Sequence, residues 1–346
     1  MNKYKVALIT GIRRIELSES DWRDPEPGYV TFETYCSGIC GSDLHVYDGH
    51  WDAPKSLATG HEASGIIRAV GKGVTGLNIG DRVTFECFSH CGECIYCLNG
   101  QYNHCLQRKG ASEGANGGFS EFTTAHSSSI YKIPDEMSFE QGALVEPLAV
   151  AYRAVAQSGA SYLGRLAVIG GGTIGQLCLA VAVSAGVRES LITVKYDCQE
   201  ALAKDFRGNH VININGQDLR ERVGEITGGL GMDAVIVTVK GEKALDDALH
   251  IVRKRGTVVL LAGYSELVKA SLGTVVSKEI VLTGSNCYGY DNYSTDFQTC
   301  IDLIQSNRVD VTKLVTHRHP LDDISVAFQT ASDKQSGAIK VHICKT

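Results

Sequence analysis

Short runs in which apolar and polar residues alternate dominate the first 148 positions: YVTFETYC, ASGIIRAVG, DRVTFE, FSEFTTAH and SIYKI, with glycine punctuation between them. A period of two turns one face of each run to a core and the other to water, which predicts a β-rich domain with loops between its strands. From Leu166 the texture changes. LAVIGG, LITVKY, HVININ, DAVIVTV, TVVLLAG and EIVLTGS are short β-branched runs, and segments of helical character such as CQEALAKDF and EKALDDALHIV separate most of them. Strands alternating with helices predict a parallel sheet covered on both faces. After Ser285 the alternation stops. STDFQTCIDLIQSNRV reads as one amphipathic helix, followed by a tail too small to stand alone that is expected to pack back on the first domain. The expected divisions are 1–148, 149–288 and 289–346, with no internal repeat and no low-complexity segment.

Length agrees with two domains, since 346 residues exceed what one core usually supports. Charge narrows the partners. Thirty-three basic and 39 acidic residues leave a net charge of -6 without any block of one sign, so the chain has no electrostatic reason to seek nucleic acid or an anionic membrane. MNKYKVALIT followed by GIRRIE fits neither a signal peptide nor a transit peptide, and no run approaches the roughly 20 apolar residues of a membrane span. The expected location is a reducing cytoplasm, where 12 cysteines are read as metal ligands and small buried hydrophobes rather than as disulfides.

Three motifs carry chemistry. GGGTIG follows the first strand of the second region and matches G-x-G-x-x-G, with Gly170, Gly172 and Gly175 as its glycines. Such glycines allow a tight turn and a close approach to a pyrophosphate, which Thr173 and Ile174, at the helix start, would meet with free amides. The acid that usually holds the adenine ribose would stand about 20 residues on. Val194 and Lys195 occupy that place. A lysine there favours NADP over NAD, unless Asp197 supplies the missing carboxylate or Lys195 is only a solvated strand end. The second motif is the pair CGSDLH and GHEASG, which offers a thiolate at Cys40 and an imidazole at His61, ligands that zinc prefers. The third ligand is expected to be Glu62 or Glu146, the latter in VEPLAV. The third motif is Cys91, Cys94, Cys97 and Cys105 in the spacing C-x2-C-x2-C-x7-C. Four thiolates fill a tetrahedral zinc and leave no open position. An iron-sulfur cluster is the rival reading. A nucleic-acid-gripping ribbon is disfavoured, because no Lys or Arg lies between the first and last of these cysteines.

With these residues in place, the chain resembles the zinc-dependent medium-chain dehydrogenases over nearly its whole length, and most of all their sorbitol and polyol branch. GHEASGIIRAVGKGV, from Gly60 to Val74, fits the family's zinc signature, and CGSDLH, GGFSEF, EPLAV and GGGTIG fall in the expected order. The resemblance implies a GroES-like β-rich catalytic domain and a Rossmann doubly wound cofactor domain. It further implies a catalytic zinc on Cys40 and His61, with either Glu62 or Glu146 as the direct carboxylate ligand. Other implied features are a structural zinc on the four-cysteine lobe, a proton relay through Ser42 and His45, and hydride exchange with NAD(P). The implied substrate is a secondary alcohol of a polyol, sugar acid or cyclitol, or the matching ketone. Relatives of this kind are commonly dimers or tetramers joined at a sheet edge, for which EIVLTGS is apolar enough.

Tyr47, Trp51, Phe119 and Tyr288 are candidates for the substrate pocket. Sorbitol dehydrogenases have an arginine before the tyrosine near Tyr288, whereas here Cys287 precedes it, which takes away one hydroxyl donor. Lys240 stands where relatives commonly have a small residue. A threonine-type amino-alcohol dehydrogenase is the rival enzyme, and a non-catalytic binding protein of the same fold is the rival from another class.

Overall fold

The computed structural model describes residues 3–52, 57–160, 162, 164–264, 267–291 and 293–345. It divides into two compact units, Met1–Glu146 with Gly289–Thr346, and Pro147–Tyr288.

The first unit opens with an antiparallel hairpin of β1 (Lys3–Gly11) and β2 (Arg14–Asp21). Next come β3 (Tyr29–Gly38), the short helix α1 (Gly41–Tyr47), β4 (Glu62–Val70) and β5 (Arg82–Phe85). The cysteine-rich stretch carries helix α2 (Ile95–Leu98) between two short paired strands, β6 (Phe88–Ser89) and β7 (Lys109–Gly110). β8 (Phe122–His126), β9 (Ile130–Lys132), α3 (Phe139–Ala143) and α4 (Val145–Gln157) follow, and the unit boundary falls within α4.

The second unit alternates strictly. Its strands are β10 (Arg165–Ile169), β11 (Glu189–Val194), β12 (His210–Asn213), β13 (Met232–Val237), β14 (Val252–Leu260) and β15 (Val281–Gly284). Between them lie α5 (Thr173–Ser184), α6 (Asp197–Asp205), α7 (Leu219–Thr227), α8 (Glu242–Ile251) and α9 (Leu272–Lys278). Every pairing is parallel, in the order β12-β11-β10-β13-β14-β15. This is a doubly wound sheet, and its order reverses between β10 and β13, the point where such sheets open to a ligand at their carboxyl ends. Ala167, Leu191, Val235, Val237 and Val258 form part of its core.

The chain then returns to the first unit through β16 (Tyr290–Asp291), β17 (Ser294–Thr295), α10 (Asp296–Gln305), β18 (Val315–His319), α11 (Ile324–Ser332) and β19 (Lys340–Cys344). β18 and β19 extend a seven-stranded sheet, ordered β18-β19-β3-β4-β5-β9, with β8 also on β3. The register sets Glu62 opposite Gly38, and Gly38 opposite His342, in one line across three strands.

One expectation from composition fails in this sheet. Cys36 and Cys344, directly opposed on β3 and β19, are joined as a disulfide, whereas all the cysteines were expected to be ligands or packed thiols. The pairing is long-range, between residues 308 apart, so nothing in the local sequence announces it.

Candidate functional site

Donor atoms of Cys40, His61 and Glu62 lie within 4.8 Å of one another. Cys40 is the cap residue of α1, and its backbone amide donates to Asp43 Oδ2 at 2.9 Å, which fixes the first turn of that helix. The other Asp43 oxygen lies 3.9 Å from His61 Nδ1. A carboxylate beside one ring nitrogen orients the imidazole and leaves the other nitrogen for a cation.

Glu62 opens β4, and its carboxylate crosses the neighbouring strand at Gly38. A Cβ on that glycine would sit 2.2 Å from Glu62 Oε2, so only the bare backbone leaves room for the crossing. Beyond it waits Lys340, the first residue of β19. Its ammonium donates to the two Glu62 oxygens at 2.9 and 2.6 Å and to the Ile39 carbonyl at 3.1 Å. The two side chains are only 2 % and 1 % exposed, so each charge depends on the other and on these hydrogen bonds.

Electrostatics marks the same spot. Burial opposes a charge on His61, but Asp43, the Cys40 sulfur and Glu146 outweigh it and hold its pKa well above the ordinary histidine value. Burial opposes the charge on Lys340 as well, and Glu62, Cys40 and Glu146 raise its pKa in the same way. Glu146, buried near the start of α4, thus adds its charge to the cluster. Cys40, Asp43, Glu62 and Glu146 together can supply four negative charges against one lysine. That surplus suits a divalent cation, for which His61 would give up its proton.

Ser42 and His45 lie three residues apart on α1, on one side of the helix that begins at Cys40. His45 Nδ1 is 3.4 Å from His50 Nδ1, and its ring centroid is 5.0 Å from that of the half-exposed Trp51. The other expected pocket aromatics are placed differently. Tyr47 and Phe119 belong to a hydrophobic core, each ring packing on Phe328, and Tyr288 is fully buried. Their rings add apolar area to the interior.

The four-cysteine lobe forms a second cluster of donor atoms, again within 4.8 Å of one another. Sulfur-sulfur distances include 3.5 Å for Cys94 to Cys97 and for Cys105 to Cys91. Backbone amides of Cys91, Cys94 and Gln107 point at these sulfurs at 3.3 to 3.4 Å. Amides of Leu106 and Cys97 pull the Cys94 thiol down to about 6. Burial and the neighbouring Cys94 thiol push Cys97 the other way, up to about 12, and a tetrahedral cation held by all four sulfurs as thiolates has no open position. A buried Glu86 at the base of the lobe accepts hydrogen bonds from Tyr102 and Tyr131 at 2.6 and 3.1 Å.

In the second unit GGGTIG joins β10 to α5. Gly170 has φ +114°, and a Cβ there would meet Thr238 and Val239 at 2.5 Å. A Cβ on Gly175 would lie 1.8 Å from the Gly170 carbonyl oxygen, so the helix packs on the turn at backbone distance. Gly172 meets nothing within 4 Å, and as the cap of α5 it has no side-chain bond to the first amides. Thr173 and Ile174 begin the helix. This is an open, amide-lined cradle for phosphate. Lys195, exposed just past β11, and Lys240, exposed past β13, flank the turn on its two neighbouring strands. Asp197 is also exposed, at the first position of α6.

Two residues of the first cluster escaped the sequence reading. Asp43 lay inside a quoted motif, and its spacing of three from Cys40 is a capping signal that could have revealed it. Lys340 had no local signal.

A model described as Alcohol dehydrogenase GroES-like domain matches residues 26–135, and one described as Zinc-binding dehydrogenase matches residues 173–306. A sorbitol dehydrogenase of Halalkalibacterium halodurans is 32 % identical over 92 % of both chains. An L-threonine 3-dehydrogenase of Pyrococcus abyssi is 30 % identical over 94 % of both. Among solved structures, an alcohol dehydrogenase of Escherichia coli complexed with NADH is 25 % identical, with a TM-score of 0.91 and full coverage of each chain.

Proposed function

We propose, for a chain that belongs to the zinc-binding dehydrogenase family, that it interconverts a secondary alcohol of a polyol, sugar acid or cyclitol with the corresponding ketone, hydride passing to or from NAD(P). The observation that carries this reading is the convergence of Cys40, His61 and Glu62 in a cluster with surplus negative charge. Zinc bound there supplies Lewis acidity, which makes a hydroxyl proton labile near neutral pH. Cys40 and His61 hold it, and Glu62 is the carboxylate whose oxygens reach the other donors, with Glu146 as the alternate. Asp43 orients His61, and Lys340 fixes Glu62. Ser42 and His45 move the released proton along α1 toward solvent. Cys91, Cys94, Cys97 and Cys105 hold a second zinc that clamps the lobe.

Gly170, Gly172, Thr173, Ile174 and Gly175 cradle the pyrophosphate of the cofactor. Lys195, with no acid at the end of β11, favours the 2'-phosphate of NADP over the free ribose of NAD. The protein works in the cytoplasm on a small-molecule substrate, as a homodimer or homotetramer. The outer edge strand β15, with Val281 and Leu282 58 % and 37 % exposed, is the surface to be covered by assembly. No helix among the described residues is long and apolar enough to cross a membrane.

The similarity to a threonine dehydrogenase supports a second reading, oxidation of an amino alcohol. Cofactor reduction by the zinc-loaded protein over a panel of polyols, sugar acids, cyclitols and amino alcohols, each with NAD and NADP, separates the two. Turnover of the hydroxylated substrates with NADP is expected. Reaction confined to amino alcohols defeats the polyol reading.

A further inference from the structure

β19 carries Lys340, His342 and Cys344 on one face, two residues apart, and β3 lays Gly38 and Cys36 beside them. Lys340 grips Glu62 at one end of this row, while the Cys36–Cys344 disulfide closes the other. Only three register pairs join β19 to β3, and the disulfide spans the last of them. Cys36 is buried, whereas Cys344 is partly exposed and lines a cavity of about 350 Å³ together with Tyr35, Lys345, Glu33, Lys3 and Lys5. Cys344 is thus the half of the pair nearer to solvent.

We infer that Cys36–Cys344 is a thiol–disulfide exchange site, a latch opened by a small dithiol entering this cavity, and that its state governs how firmly Lys340 holds Glu62. A reductant thiolate attacks Cys344 Sγ and forms a mixed disulfide. The Cys36–Cys344 bond breaks, and its electron pair stays on Cys36 Sγ, which takes up a proton. The second thiolate of the reductant then closes on its own sulfur and leaves as a cyclic disulfide, and Cys344 departs as a thiol. Two electrons and two protons pass from the dithiol to the pair. His342 Nδ1 lies 3.5 Å from Cys36 Sγ, ready to accept a hydrogen bond from the new thiol. Fully buried, and beside the Lys340 charge, His342 is held well below its ordinary pKa, so its ring is neutral and can serve as that acceptor. Opening the latch removes the one covalent tie near the end of a short ladder, leaving the Lys345 amide bond to the Tyr35 carbonyl at 2.8 Å and the pairing with β18 to hold a strand whose other end positions a cluster carboxylate. Loosened outer-shell partners of this kind cost about tenfold or more in metal affinity.

The chemical half stands whether or not the protein is a dehydrogenase, and the coupling half rests on the zinc reading. Both are tested on the zinc-loaded protein. Alkylation after denaturation in a chelator, without reductant, should label every cysteine except Cys36 and Cys344. Brief treatment with dithiothreitol, followed by its removal, should make both reactive and weaken one zinc about tenfold in a chelator competition. Cys344→Ala and the double variant Cys36→Ser/Cys344→Ser should show the weaker zinc with or without dithiothreitol. Labelling of Cys36 and Cys344 in the untreated protein, or a third zinc bound by them with His342, overturns the latch. An unchanged zinc affinity after reduction, or an equal response from the variants, overturns the coupling.

Discussion

Lys340 lies 278 residues from Glu62 in sequence, yet its ammonium is the closest cation to that carboxylate and both are almost wholly buried. Taking one partner away would leave an uncompensated charge in the interior. Lys340→Met is therefore expected to lower folding stability by about 3–5 kcal/mol, read by denaturant unfolding, and to weaken the zinc held beside Glu62. A loss below about 1 kcal/mol would mean that the pair is solvated and counts for little. Local spacing was enough to point to Cys40 and His61, which sit in short glycine-flanked motifs, and it left Glu62 and Glu146 as the carboxylate candidates. Lys340 could not be read in the same way, because its partner is set by the pairing of β19 with β3 and no spacing along the chain encodes it.

At the scale of elements, visibility follows how completely each face is buried. The six strands of the parallel sheet coincide with the β-branched runs after Leu166, because strands covered on both faces need such residues throughout, and even the exposed edge strand β15 keeps them. β19 hides the opposite way. In KVHIC the polar positions look solvent-facing, but Lys340 and His342 are 2 % and 0 % exposed, turned onto Glu62 and Cys36. β2 was equally hard to read, with only Ile15 buried among its eight residues. The glycine turn after β10 is the element whose sequence and geometry agree most closely. Gly175→Ala would place a methyl 1.8 Å from the Gly170 carbonyl oxygen and drive α5 off the turn. The expected result is a loss of roughly 1–3 kcal/mol in stability from overpacking, with weaker nicotinamide cofactor binding by fluorescence titration. Cofactor affinity equal to wild type would show that the turn does not position the phosphates.

For the whole molecule, the proposed function puts the chemistry outside the densest group of reactive side chains. The lobe holds four sulfurs in a closed set with amides turned toward them, while the sparser cluster of Cys40, His61 and Glu62 brings together three donors of mixed type. Charge supports the same division, since the cluster brings Asp43 and Glu146 beside its ligands. The most direct measurement is steady-state cofactor reduction by Cys40→Ala, with zinc content and folding read on the same sample. Turnover should disappear while the fold and the zinc of the four-cysteine lobe remain. Undiminished turnover in that variant would contradict the assignment.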